Sequence, residues 1–589
     1  MPVTFTPTQE QEDIRTAFAT RSHLVIQAGA GTGKTSSLKL LANDLHESDP
    51  GAMGYYIAFN KAMAEEVKDG FEHGNVMVST IHAMAYRALR NHHAYGPLLD
   101  RLNADNTLAP WEIARHFRVR DSFLYKTEAR DTKKKDDPSA RGSSPEDEVV
   151  PNTIFVPSND PPEQQDIEHD TEDVVPGVIY DTPKSVSVNP DQLCLLALRT
   201  LSRWCRSDRD VLNQSDVPRR AGMTLRDHYD RLVPEVLGIA KKMWDTDIIN
   251  PNGRLRFEHD YYIKMWALTN PSIADTFMPG ASRTVLFFDE AQDAQPVVAG
   301  IVRQNLDRMQ VVSVGDSNQA IYGFLGVIDY LGELSKLPNV ITLPLSQSWR
   351  FGAHVSNLAN DILRLLPGGF TISGNPAMGS MVLTVDPDTF RPEADAIICR
   401  SNGQLLSELL FELGRGRKVF CQTNTSEIIR ICKDITALRN GKKAFHPDMK
   451  FFNSLRELED FLGDPDTEKS TFATMTRLIL QEGEGTVSSA LDATTKKPEQ
   501  ADVVISTIHK AKGCEWDQVR IVGDPRGMFP VDASTPIPAP KGAVRDALML
   551  LYVAITRAKK VLYIDTDLYD AAQAGKHTKP LTNSPALLG

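Results

Sequence analysis

The sequence predicts an α/β protein with two parallel-sheet cores, each carrying an inserted, mainly helical subdomain. Short apolar runs followed by helix-like patterns recur in two series along the chain, and this alternation is typical of parallel sheets. The chain has 589 residues, of which 41% are hydrophobic and 24% charged, so several packed domains are expected rather than wholesale disorder. Two long stretches, at residues 90–279 and 404–500, interrupt the alternation and predict one insertion in each core.

Ten apolar runs predict the strands of these cores. The first run, Ser22–Gln27, enters a glycine-rich turn and is followed by a helical stretch at Lys34–Leu45. The other runs of the first series are Tyr55–Phe59, Val76–Ser79, Val285–Phe288, Val311–Val314 and Val340–Leu343. The second series comprises Ala396–Cys399, Val503–Ser506, Val519–Val522 and Val561–Ile564.

The cysteines and the first residues predict a soluble, intracellular protein. None of the six cysteines forms a C-x-x-C pair, which excludes the usual zinc and iron–sulfur spacings. So few thiols in so long a chain fit a reducing compartment. The chain begins MPVTFTPTQEQ, without a basic leader or an apolar signal core, and no apolar run approaches the length of a membrane span. We therefore expect no membrane partner.

A glycine-rich segment between a predicted strand and a predicted helix matches a phosphate-binding loop. The segment is Ala28, Gly29, Ala30, Gly31, Thr32, Gly33, Lys34 and Thr35, with Ala28 in place of the usual first glycine. Glycines let backbone N–H groups approach phosphate oxygens, and the helix N-terminus adds favourable partial charge. Lys34 is expected to reach the β- and γ-phosphates, and the Thr35 hydroxyl to bind Mg²⁺.

A second motif supplies adjacent carboxylates. The run Val285–Phe288 leads directly into Asp289-Glu290-Ala291-Gln292-Asp293. Acid pairs at strand ends are common and mostly solvated, but together with a phosphate loop they predict a Mg²⁺-dependent nucleoside triphosphatase. Asp289 would hold Mg²⁺, and Glu290 would take the proton from the attacking water.

These two motifs and seven further segments resemble the motif series of the UvrD/Rep-like superfamily 1 helicases. The motifs occur in the family's order between residues 5 and 558, and their sequences are similar to those of the F-box DNA helicase subgroup. Only four residues precede the first motif, so we expect no F-box. The further segments are Phe5–Gln9 (Q motif), Tyr56–Lys61 (Ia), Ser79–His82 (Ib), Gly315–Phe324 (III), Leu345–Arg350 (IV), Ile505–Asp517 (V) and Leu551–Ala558 (VI).

The resemblance implies which residues hold the base and sugar of ATP. Gln9 would read the adenine, Trp349 would offer it an aromatic face, and Glu515 would bind the ribose. Ser36 follows the phosphate loop where relatives often have an arginine that stacks on the adenine. Weaker or less adenine-selective binding of the nucleotide is therefore expected.

The resemblance also implies which residues act on the γ-phosphate. Gln319 would sense it, while Arg350 and Arg557 would reach it from the second core. Phosphoryl transfer needs positive charge on the equatorial oxygens, and an arginine delivered across a cleft ties that charge to cleft closure. Residues 547–549 are Ala, Leu and Met where relatives have polar groups, which leaves the polar support of Arg557 open.

For DNA, the resemblance implies contacts from both cores. Aromatic faces stack on bases regardless of sequence, and polar groups follow the phosphates. Core packing is the competing interpretation for the phenylalanines, and burial for the histidines. The pair His259-Asp260 is expected to be structural. The implied contacts are Phe59, Asn60, His82, Tyr322, Phe324, Thr507 and His509.

The motif positions define the predicted domains. The first RecA-like motor domain comprises residues 1–89 and 280–345, interrupted by a helical insertion at 90–279. The second comprises 346–403 and 501–570, interrupted by a small domain at 404–500, and residues 571–589 form a C-terminal tail.

The leading prediction is an ATP-dependent 3′–5′ helicase or translocase on single-stranded and tailed duplex DNA, acting in replication, recombination or repair in the cytoplasm or nucleoid. One alternative is a translocase that strips proteins such as recombinase filaments with little unwinding, and a protein loading partner is compatible with either. A nucleotide-gated adaptor ranks lower, because the expected catalytic residues are present.

An acidic segment accounts for the net charge of −12. Residues 136–181 contain 13 acidic residues and one basic residue, which equals the excess of the whole chain. Its proline-rich, acidic composition predicts a disordered insertion. A less favoured interpretation is an acidic mimic of DNA that covers a basic groove. The net charge of the whole chain therefore says little about a polyanionic partner.

Overall fold

The computed structural model describes residues 6–103, 108–120, 122–124, 186–218, 229–322, 329–386, 389–423, 425–446, 449, 452, 454–463, 471–523 and 543–573. The chain divides into two compact units. The larger comprises residues 1–105, 202–212 and 248–589, and the smaller comprises 106–201 and 213–247. The acidic segment 136–181 lies outside the described residues.

The larger unit contains two sheets of six parallel strands each. The first has β1 (His23–Ala28), β2 (Met53–Ala58), β3 (Val76–Thr80), β6 (Thr284–Phe288), β7 (Gln310–Gly315) and β8 (Val340–Leu345), and the second has β9 (Met381–Val385), β10 (Ala396–Cys399), β11 (Val419–Cys421), β12 (Val503–Thr507), β13 (Trp516–Val522) and β14 (Ala558–Asp565). Their orders are β3-β2-β6-β7-β1-β8 and β11-β12-β10-β13-β14-β9. These two sheets confirm the predicted α/β fold class with two parallel-sheet cores.

The central strands read as continuous apolar runs because helices cover both faces of each sheet. Every residue of β7 is buried, as are all four residues of β10. The helices of the larger unit are α1 (Gln9–Ala19), α2 (Lys34–Ser48), α3 (Lys61–Lys68), α4 (Ile81–Arg90), α8 (His259–Leu268), α9 (Ile273–Phe277), α10 (Pro296–Gln304), α11 (Tyr330–Leu334), α12 (Ala353–Leu363), α13 (Asn402–Gly414), α14 (Ser426–Arg439), α15 (Leu455–Gly463), α16 (Thr471–Glu482), α17 (Glu484–Asp492), α18 (Ile508–Ala511), α19 (Ala543–Ile555) and α20 (Thr566–Gln573).

The smaller unit is mainly helical. Its described parts include α5 (Pro110–Phe117), α7 (Tyr229–Met243) and a two-stranded antiparallel sheet of β4 (Ser122–Leu124) and β5 (Val186–Val188). The helix α6 (Pro190–Arg206) begins in this unit and ends in the larger one. The predicted insertion at 90–279 contains this whole unit, whereas residues 90–105 and 248–279 belong to the larger unit.

Helices from the 404–500 segment pack directly against the second sheet. Apolar side chains of α13 to α17, such as Leu405, Ile431 and Ile479, form one buried cluster with Ile397 of β10 and Ile505 of β12. On the opposite face, side chains of α12, α19 and α20 form another cluster. That cluster also includes Ala30 of the phosphate loop and Ile321, so apolar packing joins the two sheet domains.

All strands within a sheet are parallel, so their carboxyl ends lie at one edge. In the first sheet, β1 lies between β7 and β8, and β6 lies beside β7. The phosphate loop follows β1, and the acid pair follows β6. Motifs I, II, III and IV therefore converge on the edge where ligands bind in α/β proteins.

Candidate functional site

The phosphate loop adopts the conformation its glycines permit. Gly31 and Gly33 have φ values of 73° and 81°, in the left-handed region that favours glycine. Gly33 immediately precedes α2, so Lys34 is the first helical residue. A Cβ added to Gly31 would lie 2.6 Å from Cβ of Arg350, because the backbone of motif IV passes directly over the loop. This closeness is also seen in the Trp349 N–H, which donates to the Gly31 carbonyl at 2.8 Å.

Four predicted residues converge at the mouth of the loop. Nζ of Lys34 lies 3.0 Å from Oε1 of Glu290, and both side chains are mostly buried. The Thr35 hydroxyl donates to Oδ2 of Asp289 at 3.0 Å. Tyr56 also donates its hydroxyl to that carboxylate, a role that was not predicted for this tyrosine. The structure thus brings together the cation, the acid pair and the hydroxyl that the motifs predict.

The electrostatics of this cluster separate the two neighbouring acids. Burial alone would raise the pKa of Glu290, but Lys34 and Lys512 lower it to about 2. Burial and the charge of Glu290 raise the pKa of Asp289. Burial alone would lower the pKa of Lys34, but the surrounding carboxylates raise it. Glu290 is therefore held ionised beside a charged lysine.

Gln292 links the acid pair to motif III, a role that sequence reasoning missed. Its side-chain amide donates to Glu290 and Asp293, while its carbonyl oxygen accepts from the backbone N–H of Asp316 at 3.0 Å. It is the fourth residue of the DEAQD segment, and that position is the only sequence signal that could have identified it. A single buried amide therefore fixes the relative position of two motifs on neighbouring strands.

Motif VI reaches the first domain through two side chains. Arg557, only 2% exposed, donates to the Gln319 side-chain carbonyl at 3.3 Å. Burial, with a contribution from the charge of Arg350, lowers the pKa of Arg557 to about 9. The Tyr552 hydroxyl donates to Asp316 at 2.9 Å and accepts from the Ala30 N–H at 3.4 Å. Predicted residues of motifs I, III and VI are thus in contact across the two sheet domains.

The polar support of Arg557 comes from other groups than those expected in relatives. Its guanidinium donates to the backbone carbonyls of Cys514 and Val553 and to the Thr556 hydroxyl. Ala547, Leu548 and Met549 are instead buried in the apolar cluster of the second sheet. Backbone carbonyls therefore hold the arginine, while the three apolar residues contribute packing.

The residues assigned to the base and sugar differ in their contacts with the phosphate loop. Trp349 is 51% exposed beside Gly33. Gln9 is exposed and donates to Asp13, whereas its buried neighbour Gln11 donates to Ser37 of α2. Glu515, which was assigned to the ribose, accepts from Nε of Arg350, a residue assigned to the γ-phosphate, at 2.6 Å.

The oxygen donors at this site fit Mg²⁺. Thr35 and Asp289 are hard oxygen ligands within 3.0 Å of each other. Mg²⁺ is usually held by one or two carboxylates together with waters and phosphate oxygens rather than by an all-protein cage. The described residues contain no cluster of three His, Cys, Asp or Glu side chains that could hold a metal by themselves.

The predicted DNA contacts of motifs Ia, III and V form an aromatic group at the same sheet edge. Phe59, which is 45% exposed, stacks on Tyr322 with ring centroids 6.0 Å apart. The Tyr322 hydroxyl donates to the His509 carbonyl at 3.2 Å. Burial lowers the pKa of the half-buried His509. Exposure of Phe59 argues against the alternative that it is a core residue.

The other predicted DNA contacts occupy helix starts. Asn60 caps α3 by accepting from the Met63 N–H, and Thr507 precedes α18. His82 is exposed on the first turn of α4, so it is not the buried histidine of the alternative interpretation. Phe324 lies outside the described residues.

Lys512 lies between the residues around the phosphate loop and the aromatic group of Phe59 and Tyr322. The family resemblance assigned it no role. Its ammonium pairs with Asp293, donates to the Gln319 carbonyl at 2.6 Å and lies 5.0 Å from the centroid of the Tyr322 ring. Lys512 lies within the motif V segment of the sequence, but its partners come from two distant motifs.

Two family models match the chain. The model of the AAA domain matches residues 10–325, more than half of the chain, and the model of the UvrD-like helicase C-terminal domain matches residues 417–568. The chain belongs to the UvrD/Rep-like helicase family. The family resemblance that the sequence motifs predict is thereby confirmed.

Relatives with curated names are other members of this family. F-box DNA helicase protein 1 of Schizosaccharomyces pombe is 24% identical over 565 residues, which is 93% of this chain and 56% of the relative. F-box DNA helicase 1 of Gallus gallus is 26% identical over 57% of this chain and 34% of its own length. UvrD2 of Mycobacterium tuberculosis is 24% identical over 50% of this chain and 48% of its own. The chain thus spans about half or less of these relatives.

A solved arterivirus nonstructural protein 10 helicase with DNA aligns with 50% of this UvrD/Rep-like chain and 43% of its own, at 16% identity and a TM-score of 0.21, a likeness too weak to inform the fold. Within the described residues, no helix combines the length and apolarity needed to cross a bilayer.

Proposed function

We propose that this chain is an ATP-driven motor that moves 3′ to 5′ along single-stranded DNA and unwinds duplexes carrying a 3′ tail. The observation that carries the proposal is the contact of Arg557 with Gln319, which places a buried arginine of the second sheet domain within the acid and lysine network of the first. The direction of movement is taken from the family resemblance.

Hydrolysis would use charges that the fold already holds in place. Lys34 would neutralise phosphate charge, and Glu290, kept ionised by its neighbours, would accept the proton of the attacking water. Arg350 and Arg557 would add positive charge as phosphoryl oxygens become more negative. Because Arg557 belongs to the second domain, the rate would depend on how the two domains are closed.

Mg²⁺ would be held by Thr35 and Asp289, and when bound it would neutralise charge on the phosphate oxygens. The buried carboxylates of Asp289 and Asp316 support this assignment, because burial raises the pKa of each and an added cation would stabilise their ionised forms. Gln319 would hold Asp316 in place by donating to its carboxylate at 2.8 Å.

Strand binding would occur at the aromatic group of Phe59 and Tyr322. Bases stacking on such rings gain about 1–3 kcal/mol each regardless of sequence. Lys512 would transmit occupancy of this group to the nucleotide site, since it contacts the Tyr322 ring on one side and Asp293 and Gln319 on the other. A strand that moves Tyr322 would thereby change the charge next to Glu290.

The test is ATP hydrolysis by the whole chain with and without single-stranded DNA, followed by unwinding of 3′- and 5′-tailed duplexes. We expect strong stimulation by single strands and unwinding of the 3′-tailed duplex. Glu290→Gln serves as the hydrolysis-deficient control. Equal hydrolysis with and without DNA, or unwinding from the 5′ tail alone, would contradict the proposal.

A second candidate is a translocase that strips bound proteins with little unwinding. It is favoured by the 404–500 segment, whose helices are buried against the second sheet in a single apolar cluster. Helices whose apolar faces are buried against the sheet leave less exposed surface for contacting a duplex. Removal of a protein filament from single-stranded DNA without strand separation in a parallel assay would favour this candidate.

A further inference from the structure

A cleft of about 710 Å³ opens beside the start of α4, and neither the motif comparison nor the proposed function uses it as a whole. Its floor includes the buried side chains of Leu99 and Tyr262. The walls combine ring, cationic and amide side chains, namely His82, Tyr86, Arg87, Asn103 and His259.

Tyr262 is the centre of the ring cluster. The rings of His82, Tyr86 and His259 meet it edge to face, with centroids 6.3, 6.3 and 5.7 Å away and interplanar angles of 79° to 82°. The Tyr262 hydroxyl lies 3.1 Å from Nδ1 of His259, within hydrogen-bonding distance. Since edge-to-face packing covers only one side of a ring, the exposed His82 and His259 keep open ring surface toward the cleft.

His259 and the adjacent Asp260 make different contacts. The Asp260 carboxylate accepts from Nε of Arg206 at 2.6 Å, the structural role expected for the pair. His259 instead stands exposed at the cleft and touches His82, with ring centroids 6.0 Å apart. The two adjacent residues therefore face different surroundings.

Arg87 gives the cleft a cation. Its Nε donates to the Ala83 carbonyl one turn earlier, and the side chain is exposed. Within the described part of the chain, Arg87 forms no ion pair. Its guanidinium is therefore available to a phosphate next to the rings.

The cleft lies close to the aromatic group of Phe59 and Tyr322. Thr80, the last residue of β3, caps α4 and lines the cleft, while Phe59 follows the last residue of β2. The two strands are parallel neighbours with Ala58 opposite Thr80, so the cleft and Phe59 lie at the same sheet edge, about one strand spacing of 5 Å apart at the backbone.

We propose that this cleft binds one nucleobase of the single strand, with His259, His82 and Tyr86 against the base and Arg87 on an adjacent phosphate. Exposed rings together with an arginine are the chemistry that recognises an unstacked base. The inference deepens the proposed function by adding a base-binding site beside the Phe59–Tyr322 stack.

The test uses the whole chain without nucleotide and a duplex with a fluorescent 3′ oligo-dT tail, whose junction fixes the register. A single abasic position is moved along the tail, and affinity is measured by fluorescence anisotropy. In the natural protein, loss of the base that occupies the cleft should weaken binding by about fivefold or more, as loss of one stacked base does elsewhere.

His259→Ala should weaken binding of the intact tail to a similar degree, and the abasic position that mattered should then have no further effect. His259→Phe keeps a ring and should restore both affinity and sensitivity to the abasic position. His354→Ala, an exposed histidine on α12, should bind as the natural protein does. Comparable thermal midpoints would confirm that the variants are folded.

Unchanged affinity in His259→Ala, or an undiminished abasic penalty at every tail position in that variant, would overturn the inference. If the natural protein binds the tail and Phe59→Ala weakens binding while His259→Ala does not, the cleft assignment fails and the proposed function stands. If the natural protein does not bind the tail, the proposed function itself fails.

Discussion

Glu290 combines an unusual backbone with a tightly defined charge environment. Its φ of 52° lies in the left-handed region, which costs a non-glycine residue about 1–2 kcal/mol. The conformation places the carboxylate 3.0 Å from Lys34 and within reach of the Gln292 amide. Backbone strain of this kind is typical of functional sites, where the orientation of a side chain is maintained at a cost in stability.

Glu290→Gln should lower the turnover of ATP by about 10²–10⁴-fold, because the amide cannot accept the proton of water. Nucleotide affinity should remain, since Lys34 and the loop glycines are untouched. The measurement compares kcat with the affinity for a fluorescent ATP analogue. Glu47→Gln, an exposed acid on α2, is the matched control. Turnover of Glu290→Gln within tenfold of the natural protein would refute its role as the base.

Asp293 should make stability depend on pH. Burial outweighs the attraction of Lys512 and raises the pKa of Asp293 to about 6. The folded state therefore binds a proton that the unfolded state releases between about pH 4 and 6, so the contribution of Asp293 to stability falls as pH rises through this window.

Asp293→Asn lacks this dependence. Its free energy of unfolding in urea, relative to the natural protein, should increase by about 1 kcal/mol between pH 5 and 7.5. The same relative stability at both pH values, or a change of opposite sign, would show that the raised pKa is wrong.

At the scale of elements, the site is assembled by strand order. The apolar runs predict all ten strands that lead to motifs or lie in the sheet centres, because buried parallel strands are nearly continuous in apolar residues. Two strands of the second sheet were missed for physical reasons. The edge strand β9 leaves Met381 and Leu383 exposed and so lacks a buried run, and β11 has only three residues.

The nucleotide site was only partly predictable from the sequence. Lys34, Thr35, Asp289 and Glu290 come together as predicted, because each follows a strand at the same edge. The supports supplied by Gln292, Tyr56 and Tyr552 could not be predicted, since each lies within a motif segment but bonds to a residue that is distant in sequence.

Tyr552→Phe tests the contact of α19 with the first domain. Without the hydroxyl, Asp316 loses a buried donor and the Ala30 N–H loses its acceptor. Leaving such groups unpaired costs about 1–3 kcal/mol, so hydrolysis should fall by about tenfold or more. Tyr569→Phe on α20 is the matched control, because it removes a hydroxyl away from the site. Equal rates for both variants would exclude this contact as a coupling element.

Arg557→Ala tests the arginine of motif VI. Elsewhere an arginine finger contributes about 10³–10⁵ in rate, and we expect a loss of that order while DNA affinity is retained. Arg557→Lys should not restore the rate, since an ammonium cannot reach Gln319 and the Cys514 carbonyl together. Rates near normal in either variant would mean that the packing around residues 547–549 has changed the role of motif VI.

At the scale of the molecule, the larger unit joins two sheet domains through the nucleotide site. Ala30 and Ile321 belong to the apolar cluster of the second domain, while Lys512 and Arg557 contact acid and amide groups of the first. Any change at the phosphate loop therefore acts on both domains.

The central claim is that ATP hydrolysis moves the chain in one direction along a single strand. The most direct measurement is displacement of streptavidin from biotin placed at either end of a single-stranded oligonucleotide. We expect ATP to accelerate release from the 5′ end, as movement from 3′ to 5′ requires, and Glu290→Gln to abolish that acceleration. Equal release from both ends, or ATP-driven release only from the 3′ end, would contradict the account.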